Sequence, residues 1–187
     1  MALKSTIFKA ELEVSDFDRE YYRSHSLTIA RHPSETDERM MVRLLAFALN
    51  ADDSLAFGAG LSSTEEADLW RKDLTGAIAL WIDVGLPEAK LLRRAAGRAE
   101  AVSVYAFGRG ATAWWAQNRG VLDQVDKLAV QQIAPATTQA LAARATRNMQ
   151  LRCAVQDGEA TLWVDEEPVP ISQAELKQRR PAAPHRR

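Results

Sequence analysis

The sequence predicts an α/β domain: a mixed central sheet flanked by helices, parallel in its middle, with hairpin strands at its ends. Three observations lead there. Phe8, Ala10, Leu12 and Val14 alternate with Lys9, Glu11 and Glu13, the period-2 pattern of a half-buried strand. The apolar run Ile78–Val84 is followed by a helical stretch and a second apolar run at 101–107, the spacing of a right-handed crossover between parallel strands. Met149, Leu151, Cys153 and Val155 then alternate up to Asp157-Gly158, a strong two-residue hairpin signal.

Taken in order, "SDFD" turns the chain after the first strand, and residues 21–30 return as a second, so a hairpin opens the fold. In "HPSETDERMMVRLLAFALNA", Ser34 is a suitable N-cap. Glu35 and Asp37 suit the positive end of a helix, and Met41, Leu44, Leu45 and Ala48 form its apolar stripe, predicting a helix over 34–50. Residues 55–58 read as a short strand. Residues 68–72 read as another, with "DLTG" as the turn into Ile78–Val84. Pro87 fits a first helical position, and the helix continues over 88–99. A short helix at 111–118, a strand at 125–133 and a helix at 137–145 opened by Pro135 follow. Residues 161–164 return the last hairpin. No internal repeat or linker divides residues 1–176, which read as one domain.

Charge is unevenly placed. Of the 24 Lys and Arg residues, five (Lys177, Arg179, Arg180, Arg186 and Arg187) fall in 177–187, which contains no acid. The remaining 19 face 25 acidic residues, so the body is acidic and lacks a broad electrostatic grip on nucleic-acid phosphates. The basic segment, with Pro181 and Pro184, is expected to be a flexible tail. The lone cysteine, Cys153, excludes an internal disulfide and a cysteine-rich metal site and reads as a small core residue. There is no run of about 18 apolar residues, and "MALKSTIFKAELEV" has no secretory h-region. A cytoplasmic protein away from the membrane is the expectation.

Two acids sit on apolar faces. On a strand, Asp83 shares a face with Ala79 and Trp81, while Ile78, Leu80, Ile82 and Val84 take the other. A buried carboxylate needs a cation, a set of donors or a proton. Asp83 also lies at the strand's C-terminal end, where open α/β sheets place ligands. A strand-end acid that caps a loop is the competing reading. On its helix, Glu38 lines up with Met41, Val42 and Leu45, whereas Arg39 and Arg43 take another side. A first-turn acid complementing the helix dipole accounts for part of this. Asp68 follows Glu65 and Glu66 in what reads as a solvated acidic loop. Lys90, from the first turn of its helix, is expected to lean back toward Asp83. Three carboxylates and one lysine meeting at a strand end would suit Mg²⁺ or Mn²⁺. His25, His32 and His185 lack metal-motif spacing; His32, in "RHPS", is expected to fix the entry to the helix.

"ARHPSETDERMMVRLLAF", "GLSSTEEADLWRKDLTG" and "LWIDVGLPEAKLLRRA", with the opening "MALKSTIFKAELEVSDFDR", resemble the YaeQ family, over nearly the whole chain to about residue 170. The resemblance implies a variation on the PD-(D/E)XK, restriction-endonuclease-like core. In that core Glu38 would be the helix acid, Asp68 the PD acid (with Ala67 where the proline stands) and Asp83 the second metal ligand. The lysine of the motif falls on Gly85, so Lys90 is its expected replacement. The resemblance leaves two functions open. One is a Mg²⁺- or Mn²⁺-dependent nucleic-acid phosphodiesterase, with Asp68, Asp83 and Glu38 at the metal and Lys90 at the water or phosphate. The other is a non-catalytic binding or regulatory protein with a transcription-related partner and a degenerate nuclease site.

Overall fold

The structure is a computed structural model and describes residues 4–181. The opening alternation forms β1 (Thr6–Asp16) and β2 (Tyr21–Arg31), an antiparallel hairpin in which Thr6 faces Arg31 and Asp16 faces Tyr21. Its inward residues Phe8, Ala10, Leu12 and Val14 are buried and the charged ones between them are exposed.

Helix α1 (Asp37–Leu49) follows, capped by Thr36, whose hydroxyl accepts from the Arg39 N–H at 3.1 Å. Ser34 stands outside the helix because His32 engages it, with Nδ1 2.6 Å from Oγ. His32 also donates its backbone N–H to Glu35, and its own carbonyl accepts the Glu35 N–H, so it does fix the entry. Every residue from Met40 to Ala48 is buried. A helix buried on all sides must be covered on both faces, and this determines the architecture.

The expectation of one central sheet is corrected: there are two. One has the order β10-β9-β8-β1-β2, with β8 (Asn148–Gln156), β9 (Glu159–Val164) and β10 (Glu167–Ile171). Here β1 runs parallel to β8 and the other pairs are antiparallel. The second has the order β11-β7-β6-β5-β4-β3, with β3 (Leu55–Phe57), β4 (Leu69–Lys72), β5 (Ile78–Val84), β6 (Val102–Ala106), β7 (Leu128–Ile133) and β11 (Gln173–Lys177). Strands β5, β6 and β7 form the expected parallel segment.

Helix α1 packs against α4 (Pro135–Ala142) and lies between the sheets, sharing one apolar core with Leu12, Ile29 and Leu151 on one side and Leu69, Leu80 and Ile82 on the other. The opposite face of the second sheet, with Trp81, Val102, Val104 and Val130, is covered by α2 (Ala89–Arg98) and α3 (Ala111–Leu122). Of the tandem tryptophans, Trp114 is buried and donates its indole N–H to the Pro87 carbonyl, while Trp115 is half-buried.

The basic segment does not begin as a free tail at Lys177. That residue ends β11, and its buried ammonium donates to the carbonyls of Val125 and Leu128 at 2.8 and 2.9 Å. Arg179 holds Ser103 and the Lys127 carbonyl, and Arg180 pairs with Asp126. Residues 182–187 lie outside the described residues. No helix among the described residues is long and apolar enough to cross a membrane.

Candidate functional site

Asp68 and Asp83 meet because β4 and β5 are consecutive antiparallel strands. The turn between them is set by Asp73, whose Oδ1 accepts the N–H groups of Thr75 and Ala77, and by Gly76 at φ +86°. The register puts Leu69 opposite Ile82, so the residue before the one lies beside the residue after the other. The Asp68 N–H donates to Asp83 Oδ1 at 3.3 Å. In return Asp68 Oδ2 accepts the Val84 N–H at 2.9 Å. Each carboxylate thus takes the backbone donor that the fraying end of the strand pair leaves free.

The incoming loop is held as closely. Gly58 donates its N–H to the Asp68 carbonyl at 3.0 Å, and a Cβ placed on Gly58 would lie 2.0 Å from the Ala67 carbonyl oxygen. Gly58→Ala is therefore expected to displace the segment carrying Asp68 and to lower stability by about 1–3 kcal/mol. Urea denaturation measures this; a change within experimental error would show that the loop yields freely.

Above the two aspartates stands a row from α1 and its entry. Glu35, Arg39 and Arg43 are spaced four apart and share one side. Arg43 is completely enclosed. It grips Glu35 with Nε and Nη2 at 2.8 and 2.6 Å, and Nη2 also reaches the Ala30 carbonyl. Arg39 bridges to the sheet. Its Nη1 donates to Glu35 at 3.0 Å, and its Nη2 lies 2.8 and 2.9 Å from the two Asp68 oxygens. Burial opposes the Arg39 charge, but Asp68 and Glu35 outweigh it and raise its pKa above the ordinary value.

Among the described residues Asp83 has no arginine of its own. Its Oδ2 accepts the Trp81 indole N–H at 3.0 Å, from the face-sharing neighbour two residues back. Burial, and then the adjacent Asp68 charge, push its carboxyl up to about 6. It lines a cavity of about 460 Å³ together with Asp68, Arg39 and a largely apolar wall from the segment 85–95 and Phe107.

Of the four residues singled out by sequence, the structure brings together Asp68 and Asp83. Glu38 turns to the other side of α1 and accepts the Thr138 hydroxyl of α4 at 2.6 Å, which explains its alignment with the apolar stripe. Lys90 is exposed on α2 and does not line the cavity. The α2 cation that does so is Arg94, which pairs with Glu65. Gly85 has φ +96°, a conformation that a lysine adopts only under strain.

The sequence reading missed Glu35, Arg39 and Arg43. Their signal was present: Glu35, Arg39 and Arg43 fall four apart, and residues 40–48 are apolar but for Arg43, so that arginine had to be enclosed with a partner.

The donor set does not fit a divalent ion as arranged. All four oxygens of Asp68 and Asp83 already accept protein N–H groups, and the Arg39 guanidinium supplies the positive charge beside Asp68. Mg²⁺ requires about six oxygen ligands, and among the described residues no group of three or more His, Cys, Asp or Glu side chains is placed to hold a metal.

Comparison with known proteins agrees on one family. A family model described as YaeQ protein matches residues 1–173. A YaeQ protein of Escherichia coli (strain K12) is 39% identical over 168 residues, 89% of this chain and 92% of that one. One from Salmonella typhi is 40% identical over 167 residues, 89% of this chain and 91% of that one. Among solved structures, the YaeQ protein from Xanthomonas axonopodis pv. citri superposes with a TM-score of 0.88 at 45% identity, over 92% of this chain and 98% of that one. The YaeQ protein from Pseudomonas syringae gives 0.89 at 34% identity, over 93% and 97%.

Proposed function

The chain belongs to the YaeQ family, and from that premise we propose that it is a non-catalytic binding protein which keeps the acid pair of a nuclease-like core as a ligand site. The carrying observation is the double contact of Arg39 with Asp68. It fills the acceptor positions that a catalytic cation would need and is anchored from behind by Glu35. The PD-(D/E)XK reading of the core is supported by Asp68 and Asp83 lying side by side at the end of β4 and β5. The degenerate reading of the site is supported by a glycine at the lysine position and by Lys90 standing off the cavity. A regulatory, transcription-related role and a cytoplasmic setting go with this reading, the latter supported by a single buried thiol. Burial raises that thiol to about 12, so Cys153 is inert near neutral pH.

Two measurements on the purified protein decide the matter. Calorimetric titration of Mg²⁺ and Mn²⁺ at millimolar concentrations is expected to give no saturable heat. Incubation with single- and double-stranded DNA and RNA and either metal is expected to give no cleavage above that of the Asp83→Ala and Lys90→Ala variants purified identically. Metal-dependent cleavage by the wild type that disappears in Asp83→Ala would overturn the proposal and establish a phosphodiesterase.

A further inference from the structure

The buried network beneath the cavity is one positive charge short. Glu35 is shared by Arg43 and Arg39, and Asp68 is held by Arg39. Three carboxylates, Glu35, Asp68 and Asp83, therefore face two guanidiniums. Asp83 carries the deficit: it receives two neutral donors, Trp81 Nε1 and the Asp68 N–H, and makes no ion pair among the described residues. The other cations nearby are committed to the 64–65 segment. Arg94 pairs with Glu65 and reaches the Thr64 carbonyl, and Arg98 donates to the Glu65 carbonyl while lying over the Trp81 ring.

The cavity walls specify the rest of the occupant. Leu91, Pro87 and Phe107 offer apolar surface in the cavity that Asp83 lines. Leu61 and Leu86, which also line the cavity, are 44% and 39% exposed, so large apolar side chains stand open to solvent around it. A charged head, an apolar stem and apolar surface around the entrance describe a basic side chain on a polypeptide better than they describe a bare ion.

We infer that the cavity receives one arginine or lysine side chain of a partner protein, with Asp83 as the counter-charge of its head and Leu91, Pro87 and Phe107 against its stem. This rests on the binding-protein reading of the same site and names the chemistry of its ligand.

The test is calorimetric titration at pH 8, where Asp83 is ionised, of three probes: agmatine, an acetylated and amidated Leu-Arg-Leu peptide, and the same peptide with citrulline in place of arginine. The arginine peptide is expected to bind and to raise Tm. The citrulline peptide is expected to bind roughly tenfold or more weakly, since a charge-assisted hydrogen bond is replaced by a neutral one. Asp83→Asn is expected to remove that difference. Arginine and citrulline peptides that bind wild type equally, a preference for arginine that survives in Asp83→Asn, or no peptide binding at about 10 mM would overturn the inference. Agmatine binding as tightly as the peptide would overturn the assignment to a polypeptide in favour of a small amine. Failure here is distinct from failure of the binding-protein reading, which is decided by metal-dependent cleavage.

Discussion

Arg39→Met should destabilise the protein by about 3–5 kcal/mol, the cost of breaking a buried ion pair from one side. The substitution keeps the apolar stem and removes the guanidinium. Asp68 is then left buried with one backbone donor, from Val84, and Glu35 keeps Arg43 and the His32 N–H. The loss should be visible as a lower midpoint in urea with little change in slope. It should also be partly reversible. Adding Asp68→Leu removes the stranded charge, and the double variant is expected to recover at least half of the loss, because an apolar replacement of both partners is often near neutral. A single variant that loses less than about 1 kcal/mol would place the Arg39–Asp68 pair among surface ion pairs. That result would withdraw the premise that Arg39 fixes the acid pair.

Asp83→Asn should act in the opposite direction near neutral pH. The native state raises the Asp83 carboxyl from 3.8 to about 6, so the folded protein holds this proton more tightly than the unfolded chain does. Whatever Asp83 contributes is therefore fully present below about pH 4, falls as pH rises through the interval up to about 6, and becomes a net cost above it. A displacement of this size corresponds to about 3 kcal/mol. The asparagine amide can accept only one of the two present donors, which returns about 1 kcal/mol. The variant is thus expected to be more stable than wild type by about 2 kcal/mol at pH 7.5. The advantage should shrink through pH 6 and 5 and vanish or reverse by pH 4. Urea midpoints at these pH values give the answer. A variant less stable than wild type at pH 7.5 would make Asp83 a structural acceptor and nothing more.

Much of the fold was legible because strands and helices carry their burial pattern in their own residues. β5 occupies Ile78–Val84, the bounds its apolar run suggested, and α2, β6, β8 and β9 fall within a few residues of their patterns. The division into two sheets was not legible. It depends on α1 being covered on both faces, and an amphipathic stripe through Met41, Leu44 and Leu45 gives no indication of what covers the opposite side. β10 was missed because Pro168 and Pro170 argue against a strand, although an edge strand paired on one side tolerates them. β11 has no apolar alternation and is defined by its pairing with β7. At the site, Asp83 stood out because a carboxylate interrupts an apolar strand. Asp68 was obscured by the acids around it, and Glu38 stood out for a different contact, with α4. The arginine row was overlooked because Arg39 and Arg43 were read only as taking another side of the helix from Glu38, and a side of a helix covered all round is not a wet one.

The pairing of β1 with β8 has a consequence for how the chain is made. Of the described elements β1 leaves the ribosome first, and it is an inner strand of its sheet, yet its parallel neighbour β8 follows only after the whole of the second sheet but β11, with Lys9 facing Asn148. Until that strand arrives, the β1–β2 hairpin has an unpaired inner edge, and closing it requires a loop spanning most of the protein. Helix α1 is the first element able to cover the hairpin's apolar face, and it leaves that edge open. The newborn chain therefore passes through a long interval in which an open strand edge has no native partner. Truncations that end before residue 148 should collect as insoluble protein rather than as a smaller folded domain.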